Sequence, residues 1–252
     1  MQLNRYLALC GLASRRKANR LILEGKVVVN GRPVERLGIT VDPETDDIVL
    51  EGKRLAGPGR KRYILLNKPT DTVTTIDDDR GRKTVLDVVK VPERIFPVGR
   101  LDMDTVGVLL LTNDGDLAFR LAHPKYEAEK VYWARVEGRV SAREIDLLEK
   151  GVDLGEGVIA KGRSRIVEGD SDGTVLEIRI HEGRKRQVKR MCAAIGHPVH
   201  SLERIRFAGL NTGNLKPGQW RDLTQAEVDR LYEMTGLFSR EGRTCPETKT
   251  SR

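Results

Sequence analysis

Cysteine is scarce and scattered. Cys10, Cys192 and Cys245 are the three in 252 residues, with no CxxC spacing, so neither a zinc site nor a disulfide framework is expected. The four histidines, His123, His181, His197 and His200, share no ligand spacing with other metal-binding residue types, and no metal is expected. No apolar run approaches the roughly 18 residues of a membrane-spanning helix, and the opening MQLNRYLALCGLASRRK lacks the apolar stretch of a signal peptide. The expectation is a cytoplasmic protein with no membrane partner. What the chain does have is positive charge, 45 Lys+Arg against 37 Asp+Glu for a formal net charge of +8. Such a field concentrates polyanions near the surface, and nucleic acid is the first candidate.

The chain is long enough for a small domain followed by a medium one, each with its own core. Tyr6, Leu7 and Leu9 with a stop at Gly11, then Ser14 as an N-cap before Leu21, Ile22 and Leu23 with a stop at Gly25, predict two short helices. Val27–Val29, the hairpin pair Asn30-Gly31 and Ile48–Leu50 predict strands, giving a small ααβ module. Its second helix opens on Arg15, Arg16 and Lys17, where the helix dipole disfavours cations unless an anion compensates them. The segment from Ala56 to Arg62 is rich in Gly, Pro and charge and reads as a linker.

Beyond it, Tyr63–Leu66, Val108–Leu111 and Val131–Val136 read as strands, and Val158–Val167 and Thr174–Ile180 as a hairpin. Capping boxes at Ser141–Glu144 and Thr224–Glu227 predict two helices. Arg184, Lys185, Arg186, Lys189 and Arg190 interleave with Val188, Met191, Cys192 and Ile195 at helical spacing, which predicts a helix with a basic first turn. The fold class is α+β. The expected organisation is a module at 1–60, a domain at 61–238 built on a mixed, largely antiparallel sheet, and a disordered tail at 239–252 with almost no apolar content.

Phe96 to Gly107 place Arg100, Asp102 and Asp104 in a glycine-flanked loop directly before a buried strand. Glycines let backbone approach a ligand, and the strand fixes whatever precedes it. Chemistry alone leaves three readings of the Asp-Met-Asp spacing: a carboxylate nucleophile, a Mg²⁺ site of a phosphoryl-transfer enzyme, or turn caps.

The string from Gly99 to Gly115, GRLDMDTVGVLLLTNDG, resembles the signature of the RsuA-like pseudouridine synthases. Arg5-Tyr6-Leu7, Leu12–Arg16 and Gly25–Gly31 resemble the S4 RNA-binding domain that this family carries ahead of its catalytic domain. Asn67-Lys68-Pro69, Glu129–Tyr132 and Gly183–Met191 resemble three further family motifs in the family's order. Two positions depart from the pattern: Asp71 stands where the family usually has glycine, and Lys189 where arginine is frequent.

The resemblance implies isomerisation of a uridine in ribosomal RNA by a monomer without a cofactor, and the tract Leu215–Leu223 resembles the large-subunit members more than the small-subunit ones, which makes the large subunit the expected target. It makes Asp102 the catalytic carboxylate, Tyr132 the aromatic against the target base, and Lys189 the basic residue near the carboxylate; a cation beside a carboxylate keeps it ionised, and Lys189 or Arg100 could serve. RNA contacts are expected from Arg5, Arg15, Arg16, Lys17, Lys26 and Asn30 in the first module and from Arg184, Lys185, Arg186, Gln187 and Arg190 in the second, since cations at a helix start call for an anion that RNA phosphate supplies. The alternative is a non-catalytic S4-domain RNA-binding or ribosome-assembly protein, against which the presence of Asp102 weighs.

Overall fold

The computed structural model describes residues 1–155, 157–170 and 173–237; the expected tail and Cys245 lie outside the described residues. The chain forms two compact units, Met1–Ala118 with Thr212–Asp222, and Phe119–Asn211 with Leu223–Arg252.

The first unit begins with α1 (Leu3–Leu9) and α2 (Arg15–Leu23), followed by β1 (Val27–Val29), β2 (Arg32–Val34), β3 (Ile48–Leu50) and β4 (Lys53–Arg54) in the sheet order β2-β1-β3-β4. The Ser14 hydroxyl accepts from the Lys17 backbone N–H at 3.1 Å and caps α2. Asn30 and Gly31 take φ values of 51° and 77°, the two left-handed residues that a tight antiparallel hairpin needs. Leu3, Tyr6, Leu7, Ala18, Leu21, Ile22, Val27 and Ile48 form one buried cluster, so each short helix is held by its apolar face.

The same unit continues with β5 (Tyr63–Lys68), α3 (Val85–Val88), β6 (Phe96–Pro97) and β7 (Thr105–Thr112), and the chain leaves it along α4 (Gly115–Ala122). Antiparallel β5 and β7 pair Leu66 with Leu109 and Lys68 with Gly107. Ile64, Leu65, Leu66 and Val108–Leu111 have no exposed surface, so these strands are a floor buried on both faces.

Residues 55–62 have no regular structure, as a linker should, but they are tied down. Thr112 Oγ1 donates to the Arg62 carbonyl at 2.6 Å, the Arg62 N–H donates to Asn113 Oδ1 at 2.7 Å, and Asn113 Nδ2 donates to the Arg60 carbonyl at 2.9 Å. Lys61 meets buried Asp114 at 2.9 Å. The Thr-Asn-Asp of the long motif therefore fastens the chain between the two parts of this unit.

The second unit is built on β8 (Lys130–Glu137), β11 (Arg163–Gly169), β12 (Gly173–Ile180) and β13 (Val199–Phe207), antiparallel in the order β11-β12-β8-β13. It also holds α5 (Ala142–Lys150), the pair β9 (Val152–Asp153) and β10 (Ile159–Ala160), α6 (Gln187–Ala194) and α7 (Gln225–Met234), while β14 (Trp220–Asp222) returns to β5 in the first unit. Ser141 and Thr224 close the expected capping boxes on α5 and α7.

Two expectations are corrected. The single strand at 158–167 is two strands of different sheets, because Gly162 breaks it. The Gly162 N–H donates to the Leu148 carbonyl at 3.0 Å, and a Cβ there would stand 2.9 Å from the Arg179 carbonyl. The basic helix starts later than its apolar spacing suggests, at Gln187. Arg186 sits before it with φ 51°, so Arg184, Lys185 and Arg186 occupy a loop rather than a first helical turn.

Candidate active site

The Asp102 loop is clamped on both sides by side chains of the first unit, Lys68 at the end of β5 and Thr74 in the loop that follows it. Thr74 Oγ1 accepts from the Leu101 N–H at 3.2 Å and donates to the Leu101 carbonyl at 2.8 Å, which fixes the residue before Asp102. Lys68 Nζ donates to the carbonyls of Met103 at 3.1 Å, Thr105 at 2.9 Å and Pro69 at 2.9 Å, which fixes the residues after it. A turn closes between them, the Thr105 N–H donating to the Asp102 carbonyl at 3.1 Å. Leu101 and Thr105 are buried, Asp102 is half-buried, and Arg100, Met103 and Asp104 are exposed. A half-buried carboxylate is thus held on a rigid backbone at the surface of an apolar floor, the arrangement a positioned nucleophile or base requires.

Lys68 is the residue that sequence reasoning missed. It has no exposed surface, and burial pushes its ammonium down to about 8, against the pull of Asp104, Asp102 and Asp71. Three carbonyl partners favour the charged form, so it enters neutral solution as a cation. A lysine just past the apolar run Ile64–Leu66 and followed by proline was the available signal. Thr74 had none, because its partner is 27 residues away. Asp71, where glycine is usual, takes φ 54°, a left-handed position that aspartate tolerates better than most residues, so the departure leaves the loop's backbone intact.

In the second unit, Tyr132 is 8 % exposed and shares a face of β8 with Lys130 and Ala134. Its direct cross-strand neighbour on β13 is Arg204, buried with its guanidinium 4.8 Å from the centre of the Phe207 ring. Lys130 Nζ stands 5.8 Å from the same ring and donates to the carbonyls of Ala128 at 2.7 Å and His181 at 2.9 Å. Burial, helped by the Arg204 charge and opposed by Glu182, pushes Lys130 down to about 8. Lys189 lies half-buried on α6.

The expected RNA-binding residues divide by what they already touch. Arg15, Arg16 and Lys17 are exposed along the first turn of α2, and Lys185 and Arg186 are exposed in the loop before α6. Lys26 pairs with Glu24 at 2.9 Å, Arg184 with Glu182 at 3.0 Å, and Arg5 with Asp116. Asn30 holds Asp46 and the Asp47 N–H, each at 2.8 Å. Arg190 donates to the Leu154 carbonyl. Gln187 is 3 % exposed, its amide accepting from the Arg184 N–H and donating to Glu182, both at 2.9 Å. It shapes the basic loop from inside. Among the described residues no three of His, Cys, Asp and Glu cluster as metal ligands.

Residues 1–48 match the S4 domain model and residues 62–194 match the model of RNA pseudouridylate synthases. An uncharacterised RNA pseudouridine synthase of Aquifex aeolicus is 47 % identical over 239 residues, 94 % of this chain and 96 % of that one. The ribosomal large subunit pseudouridine synthase B of Bacillus subtilis is 45 % identical over 233 residues, 91 % of this chain and 95 % of that one. A solved pseudouridylate synthase, 31 % identical, superposes with a TM-score of 0.66 over 92 % of this chain and 99 % of its own. With a clamped carboxylate loop carrying the family's signature and relatives matched nearly end to end, the chain belongs to the S4-domain, RsuA-like family of RNA pseudouridine synthases.

Proposed function

We propose that the protein converts a uridine of ribosomal RNA in the large subunit to pseudouridine, with Asp102 as the reacting carboxylate. The observation that carries this reading is the double clamp on the Asp102 loop by Thr74 and Lys68, which leaves one carboxylate half-buried on fixed backbone. The large-subunit target is supported by the Bacillus subtilis relative's name.

The reaction is an isomerisation: the bond from uracil N1 to ribose C1′ breaks, the base turns, C5 bonds to C1′, and C5 gives up its proton while N1 gains one. Nothing is oxidised or consumed. An ionised carboxylate supplies the electron pair or the base for this sequence, and a nearby cation keeps it ionised; Lys189 and Arg100 are the groups we assign to that role. The uridine has to leave its stack to react, and Tyr132 is assigned to hold it there, since base–aromatic stacking is worth about 1 to 3 kcal/mol. The S4 module, bounded near residue 60, supplies affinity through Arg15, Arg16 and Lys17. Mapping pseudouridine in ribosomal RNA from cells with and without the protein tests the reading: one large-subunit position should lose its modification. Loss in the small subunit, or at no ribosomal position, refutes the target.

A further inference from the structure

The chain has four Phe, two Trp and five Tyr, and two of these eleven rings meet a histidine on one exposed stretch of the second unit. Phe119, at 62 %, is the most exposed large apolar side chain among the described residues. Its ring lies 5.4 Å from that of His123, tilted by 46°, and His123 meets Tyr126 edge-on at 6.3 Å. His123 and Tyr126 are held in place, and Phe119 leans on His123. The His123 ring nitrogen Nδ1 accepts from the Lys125 N–H at 3.2 Å, and the Arg120 guanidinium covers the Tyr126 ring at 5.4 Å while donating to the Thr235 carbonyl at 2.6 Å. Single exposed apolar residues are ordinary; a pre-ordered ladder of rings interleaved with Arg120 and Lys125 is the composition that stacks unpaired bases, whose flat faces are apolar and whose backbone is anionic.

A groove of about 1140 Å³ begins beside the ladder at Pro124 and Glu127. It sets Lys150, Lys161, Arg163 and Arg179 against Glu127, Glu129, Glu149 and Glu182. Its charges balance, so it offers no track for phosphates, and the rings with their two cations are the part of this surface chemically suited to RNA.

We propose that Phe119, His123 and Tyr126 form a stacking platform for unpaired bases of the RNA substrate outside the target uridine. The proposal rests on RNA being the substrate and does not require the large-subunit assignment. Because Phe119 is exposed, Phe119→Ala should leave the fold intact. On large-subunit ribosomal RNA transcribed in vitro it should raise KM about tenfold with kcat unchanged, the loss of one stacked base. Affinity for a single-stranded RNA of about ten nucleotides carrying 2-aminopurine should fall by a similar factor. Phe119→Trp should restore both, with its fluorescence quenched by the bound RNA, whereas Phe119→Leu, equally apolar but without a π face, should not. Unchanged KM and oligonucleotide affinity in Phe119→Ala, full rescue by Phe119→Leu, or a parent dimer that Phe119→Ala converts to monomer in sedimentation would each overturn the platform. A parent protein that fails to turn over the ribosomal transcript refutes the target instead, and the oligonucleotide measurement still decides the platform.

Discussion

Replacing Lys68 with methionine tests whether the buried lysine holds the Asp102 loop. The two side chains are close in length and apolar bulk, so the change removes the ammonium while leaving the packing nearly filled. Three carbonyls, of Pro69, Met103 and Thr105, lose their donor. Orphaned buried acceptors cost about 1 to 3 kcal/mol each. Against this stands relief of the buried charge: a lowering from 10.5 to about 8 corresponds to about 3 kcal/mol at 1.36 kcal/mol per pKa unit. The net is a destabilisation of roughly 3 kcal/mol. The chain should still fold, with the loop loosened around Asp102, and a displacement near 1 Å costs on the order of 100-fold in rate. Urea unfolding and single-turnover kinetics on transcribed ribosomal RNA, with RNA affinity measured alongside, give the numbers. Parent-like stability together with parent-like rate in Lys68→Met refutes the clamp.

The same lysine fixes a pH dependence. Its folded value lies below its unfolded value of 10.5, so between about pH 8 and 10.5 the unfolded chain holds a proton that the folded chain has released. Its contribution to stability therefore rises with pH across that window, by up to about 3 kcal/mol; the stability difference between parent and Lys68→Met should widen from pH 7 to pH 10, and a constant difference contradicts the burial argument. Replacing Arg15, Arg16 and Lys17 together by alanine should weaken RNA binding and reduce the slope of log affinity against log salt by about 2 to 3, since each lost phosphate contact removes about 0.7 to 0.9. An unchanged slope would move the RNA contacts off α2.

Much of the architecture was legible because its signals are local. Ser14, Ser141 and Thr224 cap the helices their spacing announced, and Asn30-Gly31 turns where it should. Most of the failures depend on partners distant in sequence. Gly162 looks like an ordinary residue in a strand until Arg179 and Ile180 crowd it and its N–H turns to the Leu148 carbonyl. Val188 and Met191 keep helical spacing with Arg184, yet the left-handed Arg186 stops the helix short of it. At the site, the motif pointed to Asp102, but what immobilises it was hidden. Thr74 and Lys68 reach the carbonyls of Leu101, Met103 and Thr105 across 27 to 37 residues, and a hydroxyl or an ammonium aimed at backbone leaves no pairwise pattern in the chain. Arg204 was hidden likewise: nothing local distinguishes a buried arginine beside Tyr132 from the exposed Arg206 two residues on.

We assign the isomerisation to one carboxylate, Asp102. The direct measurement is release of tritium from C5 of uridine-labelled large-subunit ribosomal RNA by the Asp102→Asn and Asp104→Asn variants, with RNA affinity measured at the same salt. Asparagine preserves size and most hydrogen bonding while removing the charge, so Asp102→Asn should bind RNA as the parent does and release no tritium. Asp104, exposed at the loop's edge, should retain clear activity as Asn. Release by Asp102→Asn near the parent rate, or an equal loss in both variants with binding intact, would contradict the assignment of a single reacting carboxylate.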